Sequence, residues 1–220
     1  MLRNKKLIAR ADQLGWIAAA AIAGVILSSG FQVSADKTGV VDLVGIVTKS
    51  NAGQSDSQKF DTLKANRQGL LDFVAANPVL TLEQAQQLHD LVVKDPQTDA
   101  DKATITKIEG DVTTASKQYQ DLSTKQNLSA DEKTQLDEYR HRAEVMLGDG
   151  GTYQRWGNDF TTELQDWSNK HHADGLDKAR AAVAQVAKAQ GFTLVFDKSV
   201  APYGANDLTD AALQALNAQK

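Results

Sequence analysis

The fold is decided by residues 178–213, which read KARAAVAQVAKAQGFTLVFDKSVAPYGANDLTDAAL. The first third of this stretch is rich in alanine, the residue with the highest helix propensity, and Gly191 suits the position just after a helix end. β-Branched and aromatic residues follow at positions 192–197, which predicts a strand. The stretch therefore contains the end of a long helix with a strand directly after it.

Two further short strands and a last helix are predicted around this segment. Residues 200–203 favour a second strand, in which Pro202 is best tolerated at a sheet edge. Asp-Leu-Thr-Asp at 207–210 can cap a final helix over residues 211–218. At the other end of the chain, residues 39–43 (GVVDL) predict a strand that runs into a helix. Because a few short strands are not stable alone, we expect them to pair with each other and with copies in other chains.

The middle of the chain predicts long helices. Mostly apolar residues recur at alternating spacings of three and four within residues 60–74, 105–122, 136–146 and 153–167. An average of about 3.5 residues places them on a narrow stripe, as in a coiled coil. We therefore expect each helix to bury one edge against a partner helix, without a globular core. The longest helix is predicted from Thr152 to about Gln190.

The boundaries between these helices are marked in the sequence. The residue before a proline avoids the helical region, and a capping box satisfies the free N–H groups at a helix start. The signals are Asn77-Pro78, Asp95-Pro96, a cap at Thr98, the capping boxes Thr81-x-x-Gln84 and Ser129-x-x-Glu132, and the glycine-rich turn at 148–151. They divide the middle of the chain into separate helices joined by short turns.

The amino-terminal segment has the features of an export signal. Four basic residues precede an apolar run at 14–27, and Val33-Ser34-Ala35 fits a signal peptidase site. We predict that residues 1–35 are a signal peptide cleaved after Ala35, which places the protein in the periplasm. The alternative is an uncleaved inner-membrane anchor, because residues 14–35 carry no charge and are about long enough to span a bilayer.

Composition excludes several classes of function. The chain has no cysteine, so disulfides, thiolate nucleophiles and iron–sulfur clusters are excluded. Residues 36–220 hold 20 basic and 27 acidic residues, and residues 78–151 alone hold eight basic and fourteen acidic ones. A nucleic-acid partner would require the opposite sign.

Both ends of the exported part resemble one known family. Residues 178–213, together with the segment Lys37-Thr-Gly-Val-Val-Asp-Leu, resemble the Skp/OmpH family: a helix, a strand ending in aspartate, a short strand with an aromatic residue, an aspartate-hydrophobe-threonine cap and a last helix. Members of this family are periplasmic chaperones that form trimers. Their β-barrel body carries three helical tentacles around a cavity that holds unfolded outer-membrane proteins.

The resemblance implies a predominantly helical α+β fold with a small antiparallel β body, a trimeric barrel, and long coiled-coil tentacles. Residues 36–49 and 191–220 would form the body, and residues 50–190 the arm, with an acidic elaborated tip at about 78–151. Family tentacles are typically basic, so the acidic tip is a departure. The oligomerisation residues would be Val40, Val41, Leu43, Leu194, Val195, Phe196, Val200 and Tyr203.

Other residue patterns have ordinary structural interpretations. Glu138-x-x-His141 has the spacing of a di-iron ligand pair, but no second copy exists in the chain. His171 continues the stripe of Trp167 as a seam residue, and His89 has no evident partner. The glycines at 148–151 lack the lysine of a phosphate-binding loop. We therefore predict no catalytic residue, metal, cofactor or small-molecule substrate.

Trp156, Phe160 and Trp167 form the sharpest apolar feature of the sequence. They are interpreted either as seam packing within the arm or as a stripe that faces a bound client. The leading hypothesis for function is an ATP-independent holdase for unfolded outer-membrane or envelope proteins, acting as a homotrimer. The alternative is a structural envelope spacer or tether with the same trimeric head and coiled arms.

Overall fold

The computed structural model describes residues 37–219. Within this range the elements are β1 (Thr38–Val41), α1 (Leu43–Lys49), α2 (Asn51–Ala76), α3 (Leu82–Val93), α4 (Asp99–Thr124), α5 (Ala130–Leu147), α6 (Thr152–Ala189), β2 (Leu194–Asp197) and α7 (Thr209–Ala218). The predominantly helical α+β fold is confirmed. The predicted signal peptide, its cleavage after Ala35 and the alternative anchor lie outside the described residues. No helix within 37–219 combines the length and the apolar character needed to cross a membrane.

The capping signals of the sequence set the helix starts. Thr81 Oγ1 accepts a hydrogen bond from the Gln84 N–H at 3.1 Å, and Gln84 Oε1 accepts one from the Thr81 N–H at 3.0 Å. Ser129 forms the same reciprocal box with Glu132, and α4 begins with a further box at Thr98. These bonds satisfy donors that have no partner inside the helix, so α3, α4 and α5 begin where the sequence predicts.

The two strands pair in parallel, whereas an antiparallel arrangement was expected. β1 and β2 are parallel, with Thr38 opposite Leu194 and Val41 opposite Asp197. The antiparallel body that we expected is therefore wrong for the pairing within one chain. The reason lies in the connection: the whole helical arm runs between the two strands, and a long helical connection allows parallel pairing, which a short hairpin cannot.

Residues 200–203 do not form the expected second strand within the described chain. The other side of β1 is occupied by a later segment, because the Val40 N–H donates to the Asn206 carbonyl at 2.8 Å and the Leu208 N–H donates to the Val40 carbonyl at 2.9 Å. The chain has to run along β1 to bring α7 onto the body. Residues 200–203 are left in the loop before this segment, without a strand partner in the same chain.

The body is built around the sheet by α1, α7 and the carboxyl-terminal part of α6. Its buried core includes Val41, Ile46, Ala179, Ala182, Val183, Ala212 and Leu216. Three of these residues are alanines with no exposed surface, so the backbones of α6 and α7 approach each other closely. The core of the body therefore includes residues of α6 that precede Gly191.

The far end of the arm has a core of its own. Ten buried residues from α2 to α6 and the loop before α3 form one cluster: Leu70, Val74, Leu80, Ala85, Leu88, Ile108, Val112, Met146, Trp156 and Phe160. The expectation that these helices lack a globular core is wrong here. Residues beside the heptad stripe, such as Phe73, Val92 and Val93, widen the apolar face of each helix, so five elements can surround one core.

Between the body and this tip, the arm consists of α2 and α6 packed side by side. α6 has 38 residues, a length of about 57 Å, and runs without interruption from the tip into the body. Only Leu63 and Arg67 of α2 are buried in the stretch between the two cores. The arm is thus a slender two-helix connection between two separately packed ends.

Candidate functional site

β2 presents two different faces to its surroundings. Val195 packs against the cores of the body, whereas Leu194 is 51 % exposed and Phe196 is 43 % exposed. Alternate residues of a strand point to opposite faces, so these two apolar side chains share the outer face. In the single chain, β2 is also the edge of a two-stranded sheet.

The loop after β2 adds two more exposed apolar residues. Val200 is 77 % exposed and Tyr203 is 97 % exposed. The loop is held at its ends by a contact of 2.6 Å between Lys198 Nζ and Asp207 Oδ2. Gly204 lies against the side chain of Val40, where a Cβ atom would collide with it. Tyr203 is therefore exposed on a loop that contacts hold against the body.

Charged hydrogen bonds hold this face in place. Lys198 and Thr209 lower the pKa of Asp207 to about 2, because both donate hydrogen bonds to its carboxylate. The pKa of Asp197 is also lowered, chiefly by hydrogen bonds from Ser199, and its carboxylate accepts a further bond from the Leu43 N–H at 3.3 Å. Both carboxylates therefore stay ionised near neutral pH and fix the loop to the sheet.

The eight predicted oligomerisation residues fall into two groups. Val40, Val41, Leu43 and Val195 pack inside the body of one chain, whereas Leu194, Phe196, Val200 and Tyr203 are exposed. Two of the exposed residues share the outer face of β2 and two lie in the loop that follows it, and exposed apolar surface of this kind marks interaction sites. We call these four residues the open face of the body.

The three aromatic residues of the predicted stripe have different environments. Trp156 and Phe160 are 8 % and 3 % exposed and belong to the core of the tip. Trp167 lies lower on the arm, where it is partly exposed and packs against Phe60 with ring centroids 5.7 Å apart. Of the three, Trp167 alone is accessible to a bound molecule.

A buried arginine marks the junction of arm and tip. The side chain of Arg67 is 3 % exposed, and its guanidinium donates to Glu163 Oε2 at 2.9 Å and to the Leu63 carbonyl at 3.1 Å. It also lies over the ring of Phe160, 5.8 Å from the centroid. A polar residue in an apolar seam has a preferred partner position, so this pair favours one register of α2 against α6.

His89 has partners that the sequence did not reveal. Its ring stacks on Phe160 with centroids 5.5 Å apart and lies 5.0 Å from Trp156. A hydrogen bond from His89 lowers the pKa of Asp90. The contacts join α3 to α6 across some seventy residues of sequence, and no local pattern in the sequence could predict them.

The comparisons with known proteins agree with this architecture. A family model described as outer membrane protein (OmpH-like) matches residues 37–216. The chain belongs to the OmpH-like family. The match runs from β1 through the arm and tip to α7, so it includes the acidic segment 78–151 as well as the body. A search of curated proteins found no match.

The described part of this OmpH-like chain offers no group of three or more histidine, aspartate or glutamate side chains placed to bind a metal ion. Glu138, half of the di-iron-like pair, forms an ion pair with Arg142 on the same face of α5. Two surface features of this OmpH-like protein are the open face of the body and the partly exposed aromatic contact between Phe60 and Trp167 on the arm.

Proposed function

We propose that this protein is an ATP-independent holdase chaperone of the cell envelope, which binds unfolded outer-membrane or envelope proteins between helical arms. Membership in the OmpH-like family supports this class of function. The observation that carries the proposal is the open face of the body, Leu194, Phe196, Val200 and Tyr203. One chain covers its tip core and leaves this apolar surface uncovered, so the body is suited to assembly.

The open face supports a homotrimer in which three arms enclose one space. β2 has a free edge in the single chain, and an edge strand readily accepts another strand. Residues 200–203 lack a strand partner within their own chain and can gain one from a neighbouring copy. A cavity between three arms provides many weak contacts, which together bind tightly while each remains reversible.

Client contact is assigned to Trp167 and its neighbour Phe60. Both lie on the arm, and Trp167 is partly exposed. Trp156 and Phe160 hold the tip together and are covered by its core. The location that fits this function is the periplasm, after removal of residues 1–35.

The test uses purified residues 36–220 and a urea-unfolded outer-membrane β-barrel diluted into buffer, with light scattering as the measurement. We expect the assembled protein to suppress aggregation when present in near-stoichiometric amount. Leu194→Asp places a charge on the open face and should reduce both assembly and suppression. Leu147→Asp, which changes a leucine exposed at the end of α5, is the matched control and should leave both unchanged.

Unchanged scattering in the presence of an assembled protein would contradict the holdase proposal. That outcome would favour the alternative of a structural spacer or tether. Suppression by a protein that remains monomeric would instead contradict the assigned role of the open face.

A further inference from the structure

An open groove lies on one side of the tip, between α2 and α4. Its volume is about 360 Å³. The groove has an apolar floor, because Leu70 belongs to the buried core of the tip and Val92 and Ile105 pack against that core. We call this feature, whose lining also includes Glu109, the α2–α4 groove.

Gly69 of α2 lines the groove, and packing within the chain does not require a glycine at this position. A Cβ atom on Gly69 would meet no other atom of the described chain within 4 Å. Glycine weakens a helix interior, because it loses more conformational freedom on folding than other residues, and proteins use it where a ligand approaches the backbone closely. The space beside Gly69 is therefore open to atoms of another molecule.

Glu109 of α4 brings a charge without a partner to the same groove. Burial raises the pKa of its carboxyl group, and no hydrogen bond or cation among residues 37–219 offsets this effect. A carboxylate that loses water without gaining a partner is destabilised. Carboxyl groups perturbed in this way and placed in a cleft are candidates for functional sites. A cation supplied by another molecule would stabilise Glu109.

The lysines near the groove already face carboxylates of their own chain. Lys102, which lines the groove, lies 3.9 Å from Asp99, and Lys94 lies 2.8 Å from Asp101. Residues 78–151 hold eight basic and fourteen acidic residues, so acid is in excess in this part of the chain. Complementary charge across an interface steers a partner and fixes its register. The charge of this surface therefore favours a basic partner.

The length of the groove fits a short extended segment. Lys102 and Glu109 are two turns apart in α4, which corresponds to about 10 Å along the helix axis. An extended chain advances about 3.3 Å per residue, so about three to four residues span this distance. Alternate side chains of an extended chain point to the same side. A basic residue and an aliphatic residue two positions away can therefore face the groove together.

We propose that the α2–α4 groove docks an extended basic segment of another polypeptide. A lysine or arginine of this segment pairs with Glu109. An aliphatic side chain two positions away packs on Leu70 and Ile105, in the space that Gly69 leaves open. Long basic side chains suit this site, because their stems pack on apolar surface while the charged end reaches a polar partner. The inference rests on the proposed function and deepens it, since it names the class of client segment that one arm selects.

The test measures the binding of two labelled peptides to residues 36–220 by fluorescence anisotropy. One peptide consists of Lys-Ser-Leu-Ser repeats, and the other has the same length and consists of Glu-Ser-Leu-Ser repeats. The two peptides therefore carry the same apolar side chains and opposite charges. We expect the parent protein to bind the lysine peptide about tenfold more tightly than the glutamate peptide, or better.

Two pairs of variants separate docking in the groove from general attraction to an acidic protein. Glu109→Gln should weaken binding of the lysine peptide about threefold to fivefold, whereas Glu83→Gln, which removes an exposed charge of α3, should leave it nearly unchanged. Gly69→Leu fills the groove and should weaken binding about tenfold or more. Its control is Gly157→Leu, at a glycine of α6 where a Cβ atom would also meet no atom of the described chain within 4 Å.

Equal affinity of the parent for the two peptides, or no measurable binding of the lysine peptide, would overturn the proposal. Equal losses in Glu109→Gln and Glu83→Gln would overturn it as well, because the excess of acid alone would then attract the peptide. Undiminished binding by Gly69→Leu would place the peptide outside the groove, which is equally contrary to the proposal. Circular dichroism of each variant verifies that the helices are intact.

The aggregation assay of the proposed function is independent of this measurement. If the parent protein suppresses aggregation but does not bind the lysine peptide, this inference alone is wrong. If the parent binds the lysine peptide in the groove but does not suppress aggregation, the holdase proposal is wrong, and the groove remains a docking site for another basic partner.

Discussion

The two ends of the molecule differ in how completely one chain buries its apolar residues. The tip surrounds ten buried residues with five helices, and Leu80, Leu88 and Met146 have no exposed surface. The body also has a core, but it leaves Leu194, Phe196, Val200 and Tyr203 in solvent. Leu82 and Leu147 are exposed at the tip as well, but on two separate helices, and the larger exposed set at the body supports the proposal that other copies complete the body.

The arm between these ends has fewer buried residues than either core. Between the two cores, the buried residues of α2 are Leu63 and Arg67, and an open groove of about 300 Å³ lies near the base of the arm. The buried apolar residues are therefore concentrated at the two ends of the molecule.

The largest effect is expected from opening the tip core. Leu88→Ala should lower the free energy of unfolding by about 2–5 kcal/mol, because a fully buried leucine leaves a cavity in a core that cannot close around it. Urea unfolding followed by circular dichroism measures this loss. Leu82→Ala, in the same helix but 62 % exposed, is the matched control. Equal losses in the two variants would contradict the assignment of a real core to the tip.

The buried arginine predicts an asymmetric result. Glu163→Ala should cost about 3 kcal/mol, because it removes the main partner of a guanidinium that stays buried. Arg67→Met fills the same space without a charge and should cost much less, since Glu163 is half exposed and can be solvated. Thermal unfolding of both variants gives the comparison, with exposed Asp166→Ala as control. If the arginine change were the more damaging one, the pair would not be acting through burial of Arg67.

A smaller effect is expected at the cap of α5. Ser129→Ala removes the hydroxyl that accepts from the Glu132 N–H and should cost about 1 kcal/mol. Thr134→Ala, an exposed change later in the same helix, is the control. Hydrogen exchange should increase in the first turn of α5 in Ser129→Ala alone, and an equal increase in both variants would argue against capping as the cause.

The smallest effect is expected on the pH dependence of the free energy of unfolding. The pKa of Asp207 is lowered to about 2, so the folded body prefers the ionised carboxylate. The resulting stabilisation is complete above the ordinary pKa of about 3.9 and is lost as pH falls through about 2. The free energy of unfolding, measured between about pH 2 and pH 3.9, should fall less steeply with decreasing pH in Asp207→Asn than in the parent. An identical slope would mean that the Lys198–Asp207 contact does not stabilise the folded body.

Local features of the fold were predictable from the sequence, because they depend on neighbouring residues. The boxes at Thr81 and Ser129 start helices as predicted, and Gly191 follows the end of α6 with a positive φ of 73°. Each of these positions satisfies its own backbone groups within one turn of the chain. The extent of α6 from Thr152 to Ala189 follows from the same kind of signal.

Pairing between distant segments was not predictable in the same way. The parallel register of β1 with β2, and the position of residues 206–208 beside β1, depend on where the arm returns the chain. The stacking of His89 on Phe160 likewise depends on α3 folding back onto α6. The heptad stripe identified the apolar seam, but five elements meeting at one core are a property of the tertiary structure.

The central claim is that the body is completed by other copies of the chain through its open face, while the tip is complete by itself. The most direct test is the mass in solution of residues 36–220 and of three variants, measured by light scattering after size-exclusion chromatography. We expect a trimer for the parent and for Leu147→Asp at the tip, and a folded monomer for Leu194→Asp. Val195→Asp buries an unpaired charge in the body and should abolish the trimer together with the fold of the body. A trimer that survives both changes in β2 would contradict the account.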